Sequence, residues 1–382
     1  MDSGRLRSQT MDAALQHLLE RVRAAYADRR PVRIQGGHSK AFFLPPHTQE
    51  VLDTRTLQGV VSYEPSELVM TVRAGTALAE VEALLAQHGQ CLPFEPPHFS
   101  DQGAQATVGG MVAAGWSGPA RASVGAVRDY VLGVEIINGK GELLRFGGQV
   151  MKNVAGYDVS RLMAGSWGTL GVLTEVSLKV LPISPAQTTL RFDGCDQAQA
   201  LQLLNTWGAQ PLPLNASCWL QDQGVGVLYV RLRGAKAAIE AACRSMGGQR
   251  LDDAATAHDW GLCREQQLPW FTTSDEQLDL WRLSLPQTAS VLALPKGVSS
   301  PLMEWHGGLR WVRAPRQAQE KLHALASQFG GNAMLWKSGS EPVLNHTSRF
   351  APLSPVTQRL HRQLRVAFDP AGIFNPDITL GG

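Results

Sequence analysis

Two glycine-rich loops in the first third of the chain constrain what it can fold into. Gln35-Gly36-Gly37-His38-Ser39-Lys40 follows directly on a strand-like run at residues 31–35. Thr107-Val108-Gly109-Gly110-Met111 opens a short helix rich in Gly and Ala. Backbone N–H groups in such loops bind phosphate, and glycine lets the backbone approach the ligand closely. A single Gly-Gly is usually an ordinary turn. Two within one stretch that reads as a single domain point to a cradle for a dinucleotide cofactor. Two competing phosphate motifs fail. A Rossmann G-x-G-x-x-G lies between a strand and a helix, whereas Gly165-Ser166-Trp167-Gly168-Thr169-Leu170-Gly171 has the wrong spacing and leads into a strand. A P-loop needs four residues between its glycines and then Lys-Ser/Thr. Gly133 and Gly139 have five residues between them, and Lys140 is followed by Gly141.

The rest of the pattern places these loops. Leu15, Leu18, Leu19 and Val22 recur at helical spacing and predict a helix over residues 11–26. Strands are expected at 59–63, 68–74, 130–138 and 142–146, with Asn138-Gly139 as the hairpin turn between the last two. A further strand at 173–181 alternates apolar and polar residues, as a half-buried strand does. Thr76 is expected to cap a helix from Ala77 to His88, and a short helix is expected over 158–164. Pro182 and Pro185 mark a boundary, beyond which lie eight of the ten tryptophans. With 382 residues, the chain is long enough for two domains. We expect a dinucleotide-binding domain over 1–183, a smaller α/β domain over 184–352, and a C-terminal segment over 353–382. The tryptophans read as core, with a docking surface as the alternative.

Composition removes several function classes. Apolar residues make up 44% and charged residues 18%, with a net charge of +2. That describes a globular chain with no basic block for nucleic acid. The five cysteines, Cys91, Cys195, Cys218, Cys243 and Cys263, form no C-x-x-C. Reduced structural thiols are expected, with no metal site and no iron–sulfur cluster on this chain. Asp2, Arg5 and Arg7 precede no apolar leader, and no apolar run reaches membrane-span length. A cytoplasmic location is the expectation.

The N-terminal half resembles the FAD-binding domain of the p-cresol methylhydroxylase (PCMH) / vanillyl-alcohol oxidase superfamily. The residues that carry this are the Gly36-Gly37-His38-Ser39 loop, Ala74-Gly75-Thr76, the Thr107–Gly110 loop and Gly168-Thr169-Leu170-Gly171-Val172-Leu173-Thr174-Glu175. The closing Phe368-Asp369-Pro370-Ala371-Gly372-Ile373-Phe374-Asn375-Pro376 is similar to the C-terminal signature of D-2-hydroxy-acid flavoproteins in that superfamily. Val127-Arg128-Asp129-Tyr130-Val131-Leu132-Gly133, Lys152-Asn153-Val154-Ala155-Gly156-Tyr157-Asp158, Gln266-Gln267-Leu268-Pro269-Trp270-Phe271 and Gly307-Gly308-Leu309-Arg310-Trp311 look like the FAD-binding E subunits of bacterial glycolate oxidases. The resemblance implies an α+β fold: a two-part PCMH-type FAD-binding domain over 1–183 with a smaller α/β cap-like domain over 184–352, and a C-terminal segment over 353–382 that returns to the FAD domain.

The resemblance also implies roles. Gln35, Gly36, Gly37, His38, Ser39 and Lys40, with Thr107, Val108, Gly109, Gly110 and Met111, would line the pyrophosphate and ribityl chain. Pro96, Pro97, Gly115, Gly118 and Pro119 would pass near the flavin, Gly171 and Val172 near the adenine, and Asn375 at the flavin edge. A cation near the N1–C2=O edge of a reduced flavin tunes its potential. Arg121, Arg128 and Lys152 are candidates, each against the reading of a solvated surface residue. Noncovalent FAD is expected; a covalent bond through His38, as in berberine-bridge-type oxidases, is the alternative.

A hydroxy-acid site needs an Arg for the carboxylate and a His for the hydroxyl proton. His306 with Arg310, or His346 with Arg349, meet that description, against the reading that each pair sits on a surface loop. The G-D-G-N-x-H and E-H-G-I-G motifs of catalytic relatives are absent: Glu304-Trp305-His306-Gly307-Gly308 has neither spacing. By resemblance the partners would be a catalytic flavin subunit and an iron–sulfur subunit of glycolate oxidase. The complex would oxidise glycolate to glyoxylate, peripheral to the inner membrane, with electrons leaving toward quinone. The two rival readings are a stand-alone FAD oxidase and a structural subunit with a non-catalytic flavin site.

Overall fold

The computed structural model describes residues 3–101, 103–148, 157–272, 277–339 and 349–378. Two compact units emerge: residues 1–116, 126–183 and 352–382 form the first, and residues 117–125 with 184–351 form the second.

The first unit has two parts. In one, the strands Val32–Gln35 and Glu50–Asp53 pair in parallel. The C-terminal segment lies alongside, with Val32 bridged to Phe374 in parallel. The helix Ser3–Ala27 covers this part with Leu18, Leu19, Val22 and Ala25, which join Val32, Leu52, Ile373 and Phe374 in one core. Burying each Leu, Val, Ile or Phe side chain among them contributes about 1.5–3 kcal/mol. The other part is an antiparallel five-stranded sheet in the order Val60–Glu64, Val69–Arg73, Val172–Lys179, Val131–Ile137, Leu143–Gly147.

Two local expectations change. The strand Val172–Lys179 is not half-exposed: it lies mid-sheet, and Thr174 and Ser177 are buried with the apolar residues. Their hydroxyls are satisfied internally, Thr174 donating to Glu135 and Ser177 pairing with Thr71 at 2.8 Å. Thr76 does not cap the helix Leu78–Gln87, whose N-cap is Ala77 with no side-chain bond. The Thr76 hydroxyl instead accepts the Gly59 N–H at 2.9 Å, because a long-range backbone donor competes with the local one.

The second unit has, among the described residues, one eight-stranded sheet. Its order is Gln249–Arg250, Ala186–Asp193, Val225–Gly234, Leu214–Asp222, Leu302–Glu304, Leu309–Ala314, Asp279–Ser284, Asn332–Lys337. Every ladder is antiparallel. Helices Gln197–Gly208 and Lys236–Met246 pack on one half around Trp207, Trp219 and Leu228, and helix Gln319–Gln328 packs on the other around Trp281, Val312 and Leu335. The tryptophans of this unit are core: Trp207, Trp219, Trp260, Trp281, Trp305, Trp311 and Trp336 are buried, and Trp270 is half-buried. Among the described residues no helix is long and apolar enough to cross a membrane.

Candidate functional site

The strand Val32–Gln35 ends in the first glycine loop, and that loop packs directly against the second. Gln105 N–H donates to the Gly37 carbonyl at 2.9 Å. A Cβ on Gly37 would stand 1.4 Å from the Gln105 carbonyl oxygen, so only glycine permits this approach. Thr107 caps the helix Val108–Ala114, its hydroxyl accepting the Gly110 N–H at 3.2 Å. Gly109 lies so close to strand Val69–Arg73 that its Cβ would meet the Ala74 Cβ at 2.8 Å. The two loops are therefore halves of one cradle.

A cleft of about 500 Å³ opens over this cradle, wholly within the first unit. Of the expected cofactor residues, Gln35, Gly36, Gly37, His38, Ser39, Lys40, Thr107, Gly109, Gly110, Gly171 and Asn375 line it. Among the described residues, the backbone N–H groups of Gly36, Gly37, His38 and Ser39 have no protein partner. The cleft's charges are of one sign. Lys40 and Arg33 line it, and among the described lining residues none is Asp or Glu. Arg33 is 3% exposed, and its Nη1 has no hydrogen-bond partner. Burial lowers its pKa, against attraction from Asp377. Unpaired donors and a buried cation without a carboxylate fit an anionic ligand. The cradle with these groups suits the diphosphate of a dinucleotide such as FAD.

Asn375 closes one wall. Its Oδ1 accepts the Ile34 N–H at 2.8 Å, and its Nδ2 donates to the Trp167 carbonyl at 2.7 Å. It is 2% exposed and has φ +42°, a backbone state asparagine tolerates better than most residues. Trp167 and Gly168 join the lining. Trp167 also stacks on Phe43 and contacts Trp116 edge-on, both at 5.1 Å.

The remaining cofactor candidates lie elsewhere. Val108, Met111 and Val172 are core residues, and Pro96 and Pro97 are buried without lining the cleft. Gly115 ends the helix Val108–Ala114 with φ +67°. Arg128 is 67% exposed at the side chain and lies 4.0 Å from Asp129. Gly118, Pro119 and Arg121 fall in the second unit. There the Gly118 carbonyl accepts the Trp305 indole N–H at 3.0 Å, and the Arg121 guanidinium stacks 4.4 Å from the Trp305 ring. Lys152 lies outside the described residues. Sequence reasoning missed Arg33, Thr54, Trp167 and Gly168 as lining residues. For Arg33 a signal exists: in Val32-Arg33-Ile34-Gln35 a charge sits mid-strand, on the face opposite the apolar pair.

The described hydroxy-acid candidates, His306, Arg310 and Arg349, are buried groups of the second unit. His306 is 8% exposed, and its ring nitrogens meet Ser123 Oγ at 2.9 Å and Ser217 Oγ at 3.1 Å. Burial pushes its pKa down to about 4, so the ring is neutral at pH 7. Arg310 is fully buried and donates to the carbonyls of Gly307, Ser290 and Ala289. Its guanidinium holds backbone together, with burial lowering its pKa to about 10. Arg349 likewise donates to the Leu335 and Trp336 carbonyls at 3.0 and 2.9 Å, while His346 lies outside the described residues. The described candidates, His306, Arg310 and Arg349, are buried rather than solvated on a surface loop.

Comparison with known proteins agrees with this geometry. The FAD binding domain family matches residues 13–147. The chain is 45% identical over 361 residues to the glycolate oxidase subunit GlcE of Escherichia coli (strain K12), across 94% of this chain and 96% of that one. It is 31% identical over 140 residues to the glycolate oxidase subunit GlcD of Bacillus subtilis (strain 168), across 37% of this chain and 29% of that one. A solved alkyldihydroxyacetonephosphate synthase superposes with a TM-score of 0.67 at 16% identity, covering 95% of this chain and 76% of that one. That likeness is one of fold, and the fold is the PCMH type. With its FAD-binding domain and 45% identity across nearly the full length of both chains, the chain belongs to the GlcE family of glycolate oxidase subunits.

Proposed function

We propose that the chain is the FAD-bearing subunit of a complex that oxidises glycolate to glyoxylate, and that glycolate reacts on a partner's flavin rather than here. Oxidation removes two electrons and two protons from glycolate. In this reading the partner, a catalytic flavin subunit akin to GlcD, accepts them, and an iron–sulfur subunit passes electrons toward quinone. FAD bound to this chain supplies a group able to accept and donate electrons in ones or twos. The chain's own residues bind and shield it: the loops around Gly36, Gly37 and Gly109 hold the diphosphate, and Asn375 fixes the wall beside Trp167. The observation that supports this best is the cleft itself, a glycine cradle with buried cations and no lining carboxylate among the described residues. The sealed environments of His306 and Arg310 favour a substrate site elsewhere. His38 is exposed at the cleft, and FAD is held noncovalently.

The test is an anaerobic glycolate titration of the isolated, FAD-loaded chain, followed by visible absorption and then by acid denaturation. The flavin should stay oxidised and should leave the precipitate on denaturation. Bleaching by glycolate alone would place a substrate site on this chain and support the stand-alone oxidase. The same titration of the assembled complex should bleach flavin.

A further inference from the structure

An arginine keeps its charge at neutral pH in a protein, even where burial lowers its pKa. A buried guanidinium therefore has to be paired, or the fold pays for it. Elsewhere among the described residues the rule is kept: Arg310 and Arg349 each donate to backbone carbonyls, Arg73 is ion-paired with Glu175, and Arg231 donates to Asn215. Arg33 departs from it. It sits mid-strand, 3% exposed, and its guanidinium makes no hydrogen bond or ion pair among the described residues. Asp377 attracts it but does not reach ion-pair distance, and is itself engaged by Gln49. Arg33 shares the cleft with the loop whose N–H groups at Gly36 to Ser39 also lack partners.

We propose that Arg33 is a binding residue reserved for the diphosphate of the cleft's ligand, held unpaired and at a cost in stability until that dianion arrives. This rests on the FAD reading of the cleft. The ligand class is a dinucleotide or nucleoside diphosphate. Uncharged riboflavin carries the flavin ring but no diphosphate, so it serves as the control ligand. The strand fixes the guanidinium by burial, so little side-chain freedom is lost on binding.

Two variants of the full chain, Arg33→Met and Arg33→Lys, test it after the flavin is stripped. FAD and riboflavin binding are measured by fluorescence, adenosine diphosphate is used as competitor, and the melting temperature is taken with and without FAD. Arg33→Met should weaken FAD by about 30-fold or more, leave riboflavin within about twofold, and abolish competition by adenosine diphosphate. Its apoprotein should melt at the wild-type temperature or above, because a buried unpaired charge has gone, while FAD raises its melting temperature less. Arg33→Lys should recover part of the FAD affinity. Equal loss of FAD and riboflavin, or an apoprotein that melts lower in both variants, would make Arg33 a structural residue. Unchanged FAD affinity would overturn the assignment but leave the cleft as the flavin site. Failure of the wild type to bind FAD or riboflavin at all would overturn the flavin reading instead.

Discussion

His306 shows what a single buried titratable group does in this fold. Its two ring nitrogens meet the hydroxyls of Ser123 and Ser217, an arrangement a neutral imidazole satisfies by donating from one nitrogen and accepting at the other. Burial holds its pKa near 4 in the fold, against about 6.5 in the unfolded chain. The unfolded state thus binds the proton first as pH falls, and stability drops between those values. The contribution is intact above pH 6.5 and is lost by about pH 4; from pH 7 to 5 it amounts to about 2 kcal/mol. Asn is the test substitution, since it tolerates φ +56° and keeps hydrogen-bonding capacity. The wild type should lose more stability than His306→Asn between pH 7 and 5, read as denaturant midpoints. Parallel declines would assign the acid sensitivity to other groups.

At the scale of elements, the C-terminal segment acts as a clamp on the strand that leads into the glycine loop. Asp369 accepts the N–H groups of Ile373 and Phe374, which shapes the turn, and Asn375 then bonds Ile34 and Trp167. Asn375→Ala removes both side-chain bonds and strands a buried N–H and carbonyl, at a cost of about 2–3 kcal/mol. Because the bonds flank the cleft, the variant should also purify with less FAD per chain than wild type. A lower melting temperature with full FAD content would make the clamp purely structural. Much at this scale was legible in the sequence. The six strands expected in the first unit fall within two residues of their expected limits, because alternation and turn residues are local signals; no strand limits were expected for the second unit. The glycine loops were legible for the same reason, and Asn375 through its family signature. The hydroxyl of Thr76 was not, because its partner Gly59 lies on another turn of chain. Nor was the excursion of residues 117–125 into the second unit, or the burial of Thr174 and Ser177. These follow from which segments meet in space, and periodicity is silent on that.

For the whole molecule, the question is whether this chain's flavin takes part in glycolate oxidation or only completes the fold. The glycine cradle separates the two. A methyl group at Gly37 would collide with the Gln105 backbone, and one at Gly109 would press on Ala74. Gly37→Ala must therefore part the two loops, whereas Gly109→Ala asks for a smaller shift at a helix–strand contact. Neither position belongs to the second unit, whose core is built from its own clusters around Trp219 and Trp281. Co-expressed with the partner subunits, the Gly109→Ala chain should still assemble, carrying less FAD than the wild-type complex. Its glycolate-dependent dye reduction should fall in proportion to the missing FAD. Gly37→Ala should lose more of both. Full activity in an assembled complex whose GlcE-type subunit holds no FAD would support the structural-subunit reading. Activity that tracks FAD content in this subunit places its cleft on the electron path.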